Sequence, residues 1–204
     1  MPPTILLATR SEGKLRELRP LFTGAGYGVI DLVDARIAEG DDEDELERHG
    51  TFEENARAKA RHFHLLSGGI PTVADDSGLE VAALGGAPGV RSKRWSDRRG
   101  LSDRPLDDAN NALLLDRLRG AADRSARYVC VACYVDAERE LVRRGETRGR
   151  ILESPRGSGG FGYDPFFLSD ELQETFGEST REAKERVSHR GRAMRALVEA
   201  LRSG

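Results

Sequence analysis

The chain lacks the features of secreted and membrane proteins. Nowhere in its 204 residues does a stretch approach the roughly 20 apolar residues of a membrane span. Its first residues, Met-Pro-Pro-Thr, lack the basic start and long apolar run of a signal peptide. We therefore expect a cytoplasmic protein with no membrane partner. The length fits one domain, 1–204, which can carry two lobes, and an apolar fraction of 38% is enough for a sizeable core.

A strong net charge is also missing, since 32 basic residues face 35 acidic ones and the formal charge is −3. This balance argues against a basic protein that coats DNA, and we expect no nucleic-acid partner. The charges are distributed unevenly. Positions 39–47 hold seven acids and no base. Lysine is rare, with four residues among the 32 basic ones: Lys14, Lys59, Lys93 and Lys184.

Cysteine is scarce, and the two present form a single C-x-x-C at Cys130 and Cys133. Such a pair is either half of a zinc site, a redox pair or part of a buried strand. The surrounding segment 128–135 is rich in β-formers, and no second C-x-x-C or paired histidine completes a tetrahedral site. The buried strand is the better interpretation.

Apolar periodicity predicts interleaved strands and helices, and hence an α/β protein. Thr51 and Glu54 fit a capping box that opens a helix over 52–66, with Asn55 and Lys59 four apart on one face. The acidic stretch 39–47 is expected to be a loop. The predicted helices are 12–22, 52–66, 107–118 and one from position 188; the predicted strands are 4–8, 27–32, 71–74, 79–84, 127–136, 140–146 and 166–168.

The first loop joins a strand to a helix, where helix amides can receive phosphate. Gly13-Lys14 is similar to the end of a P-loop, but the earlier glycine is missing and Leu15 replaces Ser or Thr, so the strict motif fails. Hydroxyls from Thr9 and Ser11 together with the lysine charge still suit a polyphosphate. An ordinary helix start is the alternative.

Two carboxylates, Asp75 and Asp76, stand where a predicted strand becomes a loop. Neighbouring strand residues point to opposite faces, so one carboxylate can face a cleft while the other caps a turn. A cleft-facing aspartate could hold Mg²⁺ or activate water. A simple Asx turn is the alternative. The acidic stretch could supply a second carboxylate.

Gly157, Gly159 and Gly162 satisfy G-x-G-x-x-G, yet they lie late in the chain and a β-like run follows them. A dinucleotide fingerprint opens a helix in an early βαβ unit, so we reject that interpretation. Phe161 and Tyr163 in this loop are either stacking surfaces for a base or core aromatics.

Ser188 to Gly191, Ser-His-Arg-Gly, fits a helix start with two cationic residues in its first turn. Positive charge there opposes the helix dipole unless an anionic or carbonyl-rich ligand is bound. A surface helix start is the alternative.

In order along almost the whole chain, these segments resemble the inosine triphosphate pyrophosphatase family, the non-canonical purine NTP pyrophosphatases. The matching motifs are Leu7-Ala-Thr9 with Gly13-Lys14, Thr51-Phe-Glu-Glu-Asn-Ala56 with Lys59, Ala74-Asp-Asp-Ser-Gly-Leu79, Gly85-Gly-Ala-Pro-Gly-Val90 with Ser92 and Arg94-Trp95, Gly160-Phe-Gly-Tyr-Asp-Pro165, and Ser188-His-Arg-Gly191. Each motif is weak alone, but the ordered set is specific.

The resemblance implies Mg²⁺-dependent hydrolysis of ITP, dITP and XTP to the monophosphate and pyrophosphate. It implies an α/β fold with a long, twisted mixed β-sheet, flanking helices and two lobes around a central nucleotide cleft. It also implies a homodimer. One departure stands in the first loop, where the family usually has Gly-Asn and this chain has Arg10-Ser11. Arg10 either adds a charge to the site or points to solvent.

By the same resemblance, Asp76 is the general base and a metal ligand. Glu47 is the second metal carboxylate, with Glu45 as the alternative. Lys14, Lys59, Thr9, Ser11 and Asn55 would hold the triphosphate. Phe161 would stack on the base, and Lys184, His189 and Arg190 would read it with help from Asp164 and Ser77. The implied substrate-binding set also includes Arg10, Glu12, Gly13, Gly162 and Tyr163.

Overall fold

A computed structural model of the chain describes residues 2–40, 43–98, 100–101 and 103–203. Asp41 and Asp42 of the acidic stretch lie outside the described residues. In this part of the chain the apolar runs form six strands: β1 (Thr4–Leu7), β2 (Gly28–Asp31), β3 (Thr72–Val81), β4 (Ser125–Val135), β5 (Glu140–Ile151) and β6 (Phe167–Ser169).

Helices separate most of these strands. Five α-helices lie within the described ranges: α1 (Glu12–Gly24), α2 (Phe52–Leu66), α3 (Asp103–Arg117), α4 (Arg181–Val187) and α5 (His189–Arg202). Short 3₁₀ helices occur at Glu43–Glu47, Ala82–Leu84 and Gly89–Arg94. The loop predicted for the acidic stretch is therefore wrong over Glu43–Glu47. Within the described residues, no helix is both long enough and apolar enough to cross a membrane.

Helix α2 has the predicted bounds, and Thr51 caps its first turn as predicted. The Thr51 hydroxyl accepts the Glu54 amide at 3.1 Å and donates to the Glu54 carboxylate at 2.8 Å. The glutamate thus reaches back to the cap hydroxyl. Ala56, Ala60 and Phe63 form the buried face of the helix, as their spacing predicts.

The strands form one mixed sheet in the order β2-β1-β3-β4-β5-β6. β1 pairs in parallel with β2, with Ile5 opposite Val29, and with β3, with Leu7 opposite Val73. β6 pairs antiparallel with β5. β4 and β5 are neighbours joined by the turn at 136–139, so the predicted hairpin is confirmed. The predicted α/β fold with a mixed sheet and helices is also confirmed.

The chain divides into two compact units. Unit 1 comprises Met1–Asp76, Cys130–Gly145 and Arg190–Gly204, and unit 2 comprises Ser77–Val129 and Glu146–His189. Each unit has a core of its own. Unit 1 buries side chains of β1, α1 and α5, among them Leu7, Phe22 and Leu197. Unit 2 buries side chains of β3, α3 and β4, among them Leu79 and Leu114. A single two-lobed domain stays a prediction.

Besides the 3₁₀ helix in the acidic stretch, several elements differ from the expectation. Helix α3 begins at Asp103 rather than at position 107, and β5 continues to Ile151 rather than ending at position 146. The largest differences concern β3 and α4. The pattern predicts two strands separated by a turn at Asp75-Asp76-Ser77-Gly78, whereas β3 runs unbroken through all four residues. The Asx-turn alternative is therefore wrong. Helix α4 is absent from the expectation because its seven residues, Arg-Glu-Ala-Lys-Glu-Arg-Val, include only two apolar side chains, which are too few to predict a helix. Ser188 follows α4, and α5 begins one residue later.

Candidate active site

The parallel pairing of β1 and β3 brings the first loop beside the two aspartates. Leu7 ends β1 opposite Val73, and the Ala8 amide donates to the Val73 carbonyl at 2.8 Å. Two residues further along β3, Asp75 is level with the start of the loop. The carboxyl ends of neighbouring parallel strands are the usual place for a ligand site in α/β proteins.

Strand alternation separates the two aspartates. Asp75 shares a face of β3 with Val73, which packs with α1 and α5, and Asp76 faces helix α2. The prediction that the carboxylates point to opposite faces is confirmed. Both are buried, with 2% and 6% of their surface exposed. Two buried carboxylates need compensating charge, and each has its own set of partners.

Asp75 lies among cations. Its Oδ2 is 2.9 Å from the Lys14 Nζ and 3.3 Å from the Arg190 Nε, and the Cys130 Sγ lies 3.7 Å away. Burial alone would raise the pKa of Asp75, but Lys14, Arg190 and Lys59 together hold it well below its usual range. Asp75 is therefore a charged anchor for the Lys14 ammonium.

Asp76 is held by two donors from α2, one at each oxygen. The Asn55 amide donates to Oδ2 at 2.8 Å, and the Lys59 Nζ lies 3.3 Å from Oδ1. The same ammonium is 3.1 Å from the Glu47 Oε1. Burial would lower the pKa of Lys59, but Asp76 and Glu47 outweigh that effect and raise it, so the ammonium is charged. A cation thus lies between two carboxylates.

Asn55 is fully buried and oriented from both ends of its amide. Its Oδ1 accepts the backbone amide of His49 at 2.9 Å, which leaves its Nδ2 to donate to Asp76. The side chain predicted to contact phosphate is thus engaged with the candidate base. Its contacts orient the Asp76 carboxylate.

The acidic segment contributes different residues to different contacts. Glu47 shares the Lys59 ammonium with Asp76, while Glu45 pairs with the surface residue Arg48. Glu43 binds Arg10. This geometry favours Glu47 over Glu45 as the second acid beside Asp76.

The first loop ends in a capped helix. The Ser11 hydroxyl accepts the Lys14 amide at 3.4 Å, and the Thr9 Oγ1 accepts the Ser11 amide at 3.2 Å. Glu12 points away, with 91% of its side chain exposed. Glu12 and Gly13 can therefore serve a ligand through their backbone amides at the start of α1, where helix amides lack intrahelical partners.

A second group of predicted residues lies in unit 2. The Lys184 Nζ is 2.7 Å from Asp164 Oδ2 and 5.0 Å from the centre of the Phe161 ring. Asp164 also accepts the Phe161 backbone amide at 2.9 Å and the Tyr128 hydroxyl at 3.4 Å. One buried carboxylate thus holds an ammonium beside an aromatic ring.

The glycine loop is explained by close backbone approach. A Cβ on Gly157 would lie 2.1 Å from the Gly177 carbonyl oxygen, and one on Gly160 would lie 2.2 Å from the Asp164 carboxylate. Both glycines have φ of +73°, where glycine is favoured. Turns and β6 follow the loop, so the rejection of a dinucleotide fingerprint is confirmed.

Helix α3 holds Gly162 at both of its backbone polar groups. Its amide donates to Asp107 at 2.7 Å, and its carbonyl accepts the Asn111 side chain at 3.0 Å. Tyr163 points into the core of unit 2 and donates to the Ser92 carbonyl at 2.7 Å. Of the two aromatics in this loop, Tyr163 is therefore a core residue.

The Ser-His-Arg segment is buried, so its surface alternative is wrong. His189 stacks on the Tyr128 ring, with centres 4.5 Å apart and planes 7° apart. Arg190 belongs to unit 1, where it contacts Asp75 and Glu17. Ser77 begins unit 2 within β3.

Cys130 and Cys133 are free and fully buried in β4, as the strand interpretation predicts. Burial raises the pKa of both thiols, that of Cys133 to about 11. Among the described residues there is no cluster of three or more His, Cys, Asp or Glu side chains that could hold a metal ion. Asp76 and Glu47 are brought together at the Lys59 ammonium.

Four residues outside the predicted set support these groups: Glu17, Asp107, Asn111 and Tyr128. Asp107 and Asn111 are four apart on α3, a spacing that places two polar side chains on one face and could have drawn attention to them. Glu17 and Tyr128 carry no such signal, because their partners are distant in the sequence.

Comparison with known proteins decides the family. The model of the Ham1 family matches residues 5–200. This chain belongs to the Ham1 family. One relative is a dITP/XTP pyrophosphatase of Ralstonia nicotianae, which is 45% identical over 97% of this chain and 96% of the relative. Another is a dITP/XTP pyrophosphatase of Mycolicibacterium paratuberculosis, which is 48% identical over 97% of this chain and 95% of the relative.

Solved Ham1 structures share the fold. A HAM1 protein from Coxiella burnetii is 33% identical, with a TM-score of 0.84 over the full length of both chains. A nucleoside-triphosphatase / dITP/XTP pyrophosphatase from Mycobacterium abscessus is 41% identical, with a TM-score of 0.71 over 95% of this chain and 98% of that one.

Proposed function

We propose that the chain hydrolyses the non-canonical purine nucleotides dITP, XTP and ITP to the monophosphate and pyrophosphate, with Mg²⁺. The observation that carries this proposal is the arrangement around Asp76, a buried carboxylate oriented by Asn55 and paired through Lys59 with Glu47. Membership of the Ham1 family and the names of its relatives support the substrate class.

The residues present fit a magnesium ion. One oxygen of Asp76 and one of Glu47 already converge on a cation, the Lys59 ammonium, at 3.3 and 3.1 Å. Mg²⁺ prefers oxygen ligands, is commonly bound through one or two carboxylates plus substrate phosphates, and keeps several waters. Bound Mg²⁺ would neutralise the charge that develops on the pyrophosphate leaving group.

Asp76 would accept the proton of the water that attacks the α-phosphorus. Its contacts with Asn55 and Lys59 fix the direction of the carboxylate, which general-base catalysis needs. Lys14 and the amides at the start of α1 would bind the phosphates, since both offer positive charge to an anion. Lys59 would add a second ammonium to this anion site.

In unit 2, Lys184 and Phe161 would recognise the base. Hypoxanthine and xanthine carry an acceptor oxygen at C6, whereas adenine carries an amino donor. A Lys184 ammonium would pair with the oxygen and leave the amino group of adenine without an acceptor, and unpaired buried polar groups give large rejection factors. Asp164 holds that ammonium beside the ring.

Lys184→Met tests this role of the ammonium. We expect KM for XTP and dITP to rise at least about tenfold, since a hydrogen bond to a charged group contributes roughly 1.5–3 kcal/mol. The preference over ATP should shrink in parallel. Lys93→Met, at an exposed lysine of the same unit, is the control. An unchanged ratio of kcat/KM for XTP and ATP would contradict the assignment.

A house-cleaning pyrophosphatase acting on modified pyrimidine nucleotides is the alternative within the same reaction class. A panel of XTP, dITP, ITP, ATP, GTP, dTTP and UTP, each with and without Mg²⁺, separates the two. We expect XTP, dITP and ITP to release pyrophosphate, and to do so only when Mg²⁺ is present. Equal turnover of dTTP or UTP would overturn the base assignment, and release of single phosphate would overturn the reaction. The homodimer stays a prediction, and light scattering, which measures the mass of the protein in solution, tests it.

A further inference from the structure

Arg10 is anchored through most of its donors to Glu43 of the acidic stretch and to two carbonyls just before that stretch. Its Nε and Nη2 bind the two carboxylate oxygens of Glu43 at 3.1 and 2.6 Å. Its Nη1 donates to the Ile37 carbonyl and its Nη2 to the Ala38 carbonyl, both at 2.9 Å. A guanidinium has five N–H groups, and these contacts engage four of them.

The same guanidinium also reaches helix α2. Its carbon lies 5.9 Å from the centre of the Phe63 ring, within the range of a cation–π contact. Phe63 is buried and follows Lys59 by four residues, one turn along the same face. Arg10 thus connects three segments of unit 1: its own loop, the acidic segment and α2.

These three segments supply the candidate phosphate and metal groups. The loop carries Lys14, α2 carries Asn55 and Lys59, and the acidic segment carries Glu47. Glu43 and Glu47 are the two ends of one five-residue 3₁₀ helix. A tether at Glu43 therefore limits where the Glu47 carboxylate can lie.

We propose that Arg10 is a positioning residue that, through Glu43 and the carbonyls of Ile37 and Ala38, holds the 3₁₀ helix Glu43–Glu47 so that Glu47 stays beside Lys59 and Asp76. The need for a tether follows from charge, because the segment is rich in acids that repel one another. The proposal rests on the proposed function in one respect, the assignment of Glu47 to the metal. In place of the two expected alternatives, a charge added to the site or a side chain pointing to solvent, Arg10 becomes a bridge between site elements.

Hydrogen exchange of Arg10→Gln tests the tether without metal or nucleotide. We expect the amides within 37–40 and 43–47 to exchange about tenfold faster, because a bidentate contact with a charged partner is lost. Arg16→Gln is the matched control, since its side chain is 68% exposed and faces Glu12 at 3.9 Å. Arg10→Gln/Glu43→Gln should exchange no faster than Arg10→Gln alone, because Arg10→Gln already removes the contact with Glu43.

Kinetics separate the tether from direct phosphate binding. For Arg10→Gln we expect the Mg²⁺ concentration at half-maximal rate to rise several-fold, with KM for XTP at saturating Mg²⁺ unchanged. A raised KM with unchanged exchange would make Arg10 a phosphate ligand and overturn the proposal, as would unchanged exchange alone. If Glu47→Gln leaves the Mg²⁺ requirement as it is, the metal assignment fails, whereas the exchange result still decides the tether.

Discussion

Adjacent aspartates on β3 should respond differently to the same substitution. Asp75→Asn removes a buried charge that Lys14 and Arg190 neutralise at 2.9 and 3.3 Å. Asp76→Asn removes a charge from the pair that shares Lys59. We therefore expect Asp75→Asn to lower the free energy of unfolding and Asp76→Asn to lower the rate.

The loss of stability in Asp75→Asn depends on the partners that Lys14 and Arg190 keep. Breaking a buried ion pair at one partner costs roughly 3–5 kcal/mol. Arg190 would keep Glu17, and the Lys14 side chain is 16% exposed, so solvent can compensate part of the loss. We expect about 3 kcal/mol for Asp75→Asn, equivalent to a decrease in Tm of roughly 6–12 °C for a domain of this size.

Asp76→Asn should cost about 1 kcal/mol, because Lys59 keeps Glu47 and an amide can still accept from Asn55. Its turnover of XTP should fall at least ~100-fold, the lower range for removal of a general base, while binding of ITP persists.

Urea unfolding followed by circular dichroism at pH 7, without Mg²⁺ or nucleotide, measures the first effect, and pyrophosphate release measures the second. Asp116→Asn is the control, since its carboxylate is 60% exposed and pairs with Arg119 at 2.8 Å. Wild-type stability of Asp75→Asn would refute the view that this cluster stabilises unit 1. Near-normal turnover of Asp76→Asn would remove Asp76 from the mechanism.

Two further predictions concern the cysteines and the glycine loop. Burial raises the pKa of Cys130 and Cys133, and the thiolate is the reactive form of cysteine. Neither thiol should therefore react with iodoacetamide at pH 8 until urea unfolds the chain. Rapid labelling of the folded protein, detected by mass spectrometry, would contradict this prediction. Gly160→Ala should raise KM for XTP because the added Cβ would displace Asp164. Gly68→Ala should leave KM unchanged, because Gly68 has the same φ of +73° but open space around it. Equal KM values for the two variants would refute the steric argument.

Local signals explain what the sequence could predict of the fold. Helix α2 follows from its capping box and its apolar spacing, and its bounds match the prediction. The buried strand at Cys130 follows from its β-formers. β3 does not, because Asp-Asp-Ser-Gly is typical of a turn. Those carboxylates are tolerated in a strand because cations from α1, α2 and α5 neutralise them, and these contacts are distant in sequence.

In the candidate site, too, contacts between residues distant in the sequence could not be predicted. Lysine is rare in this chain, and Lys14, Lys59 and Lys184 each pair with a buried aspartate. The different contacts of the acids at 39–47 could not be predicted, because the sequence does not distinguish seven neighbouring acidic residues. In the folded chain, Glu43 contacts Arg10 and Glu47 contacts Lys59.

Hydrolysis in ¹⁸O-labelled water tests the central claim most directly, that water attacks the α-phosphorus and pyrophosphate leaves. After turnover of XTP with Mg²⁺, mass spectrometry of both products shows which phosphorus was attacked. The account predicts one labelled oxygen in the nucleoside monophosphate and none in the pyrophosphate. Label in the pyrophosphate would place the attack on the β-phosphorus and contradict the account.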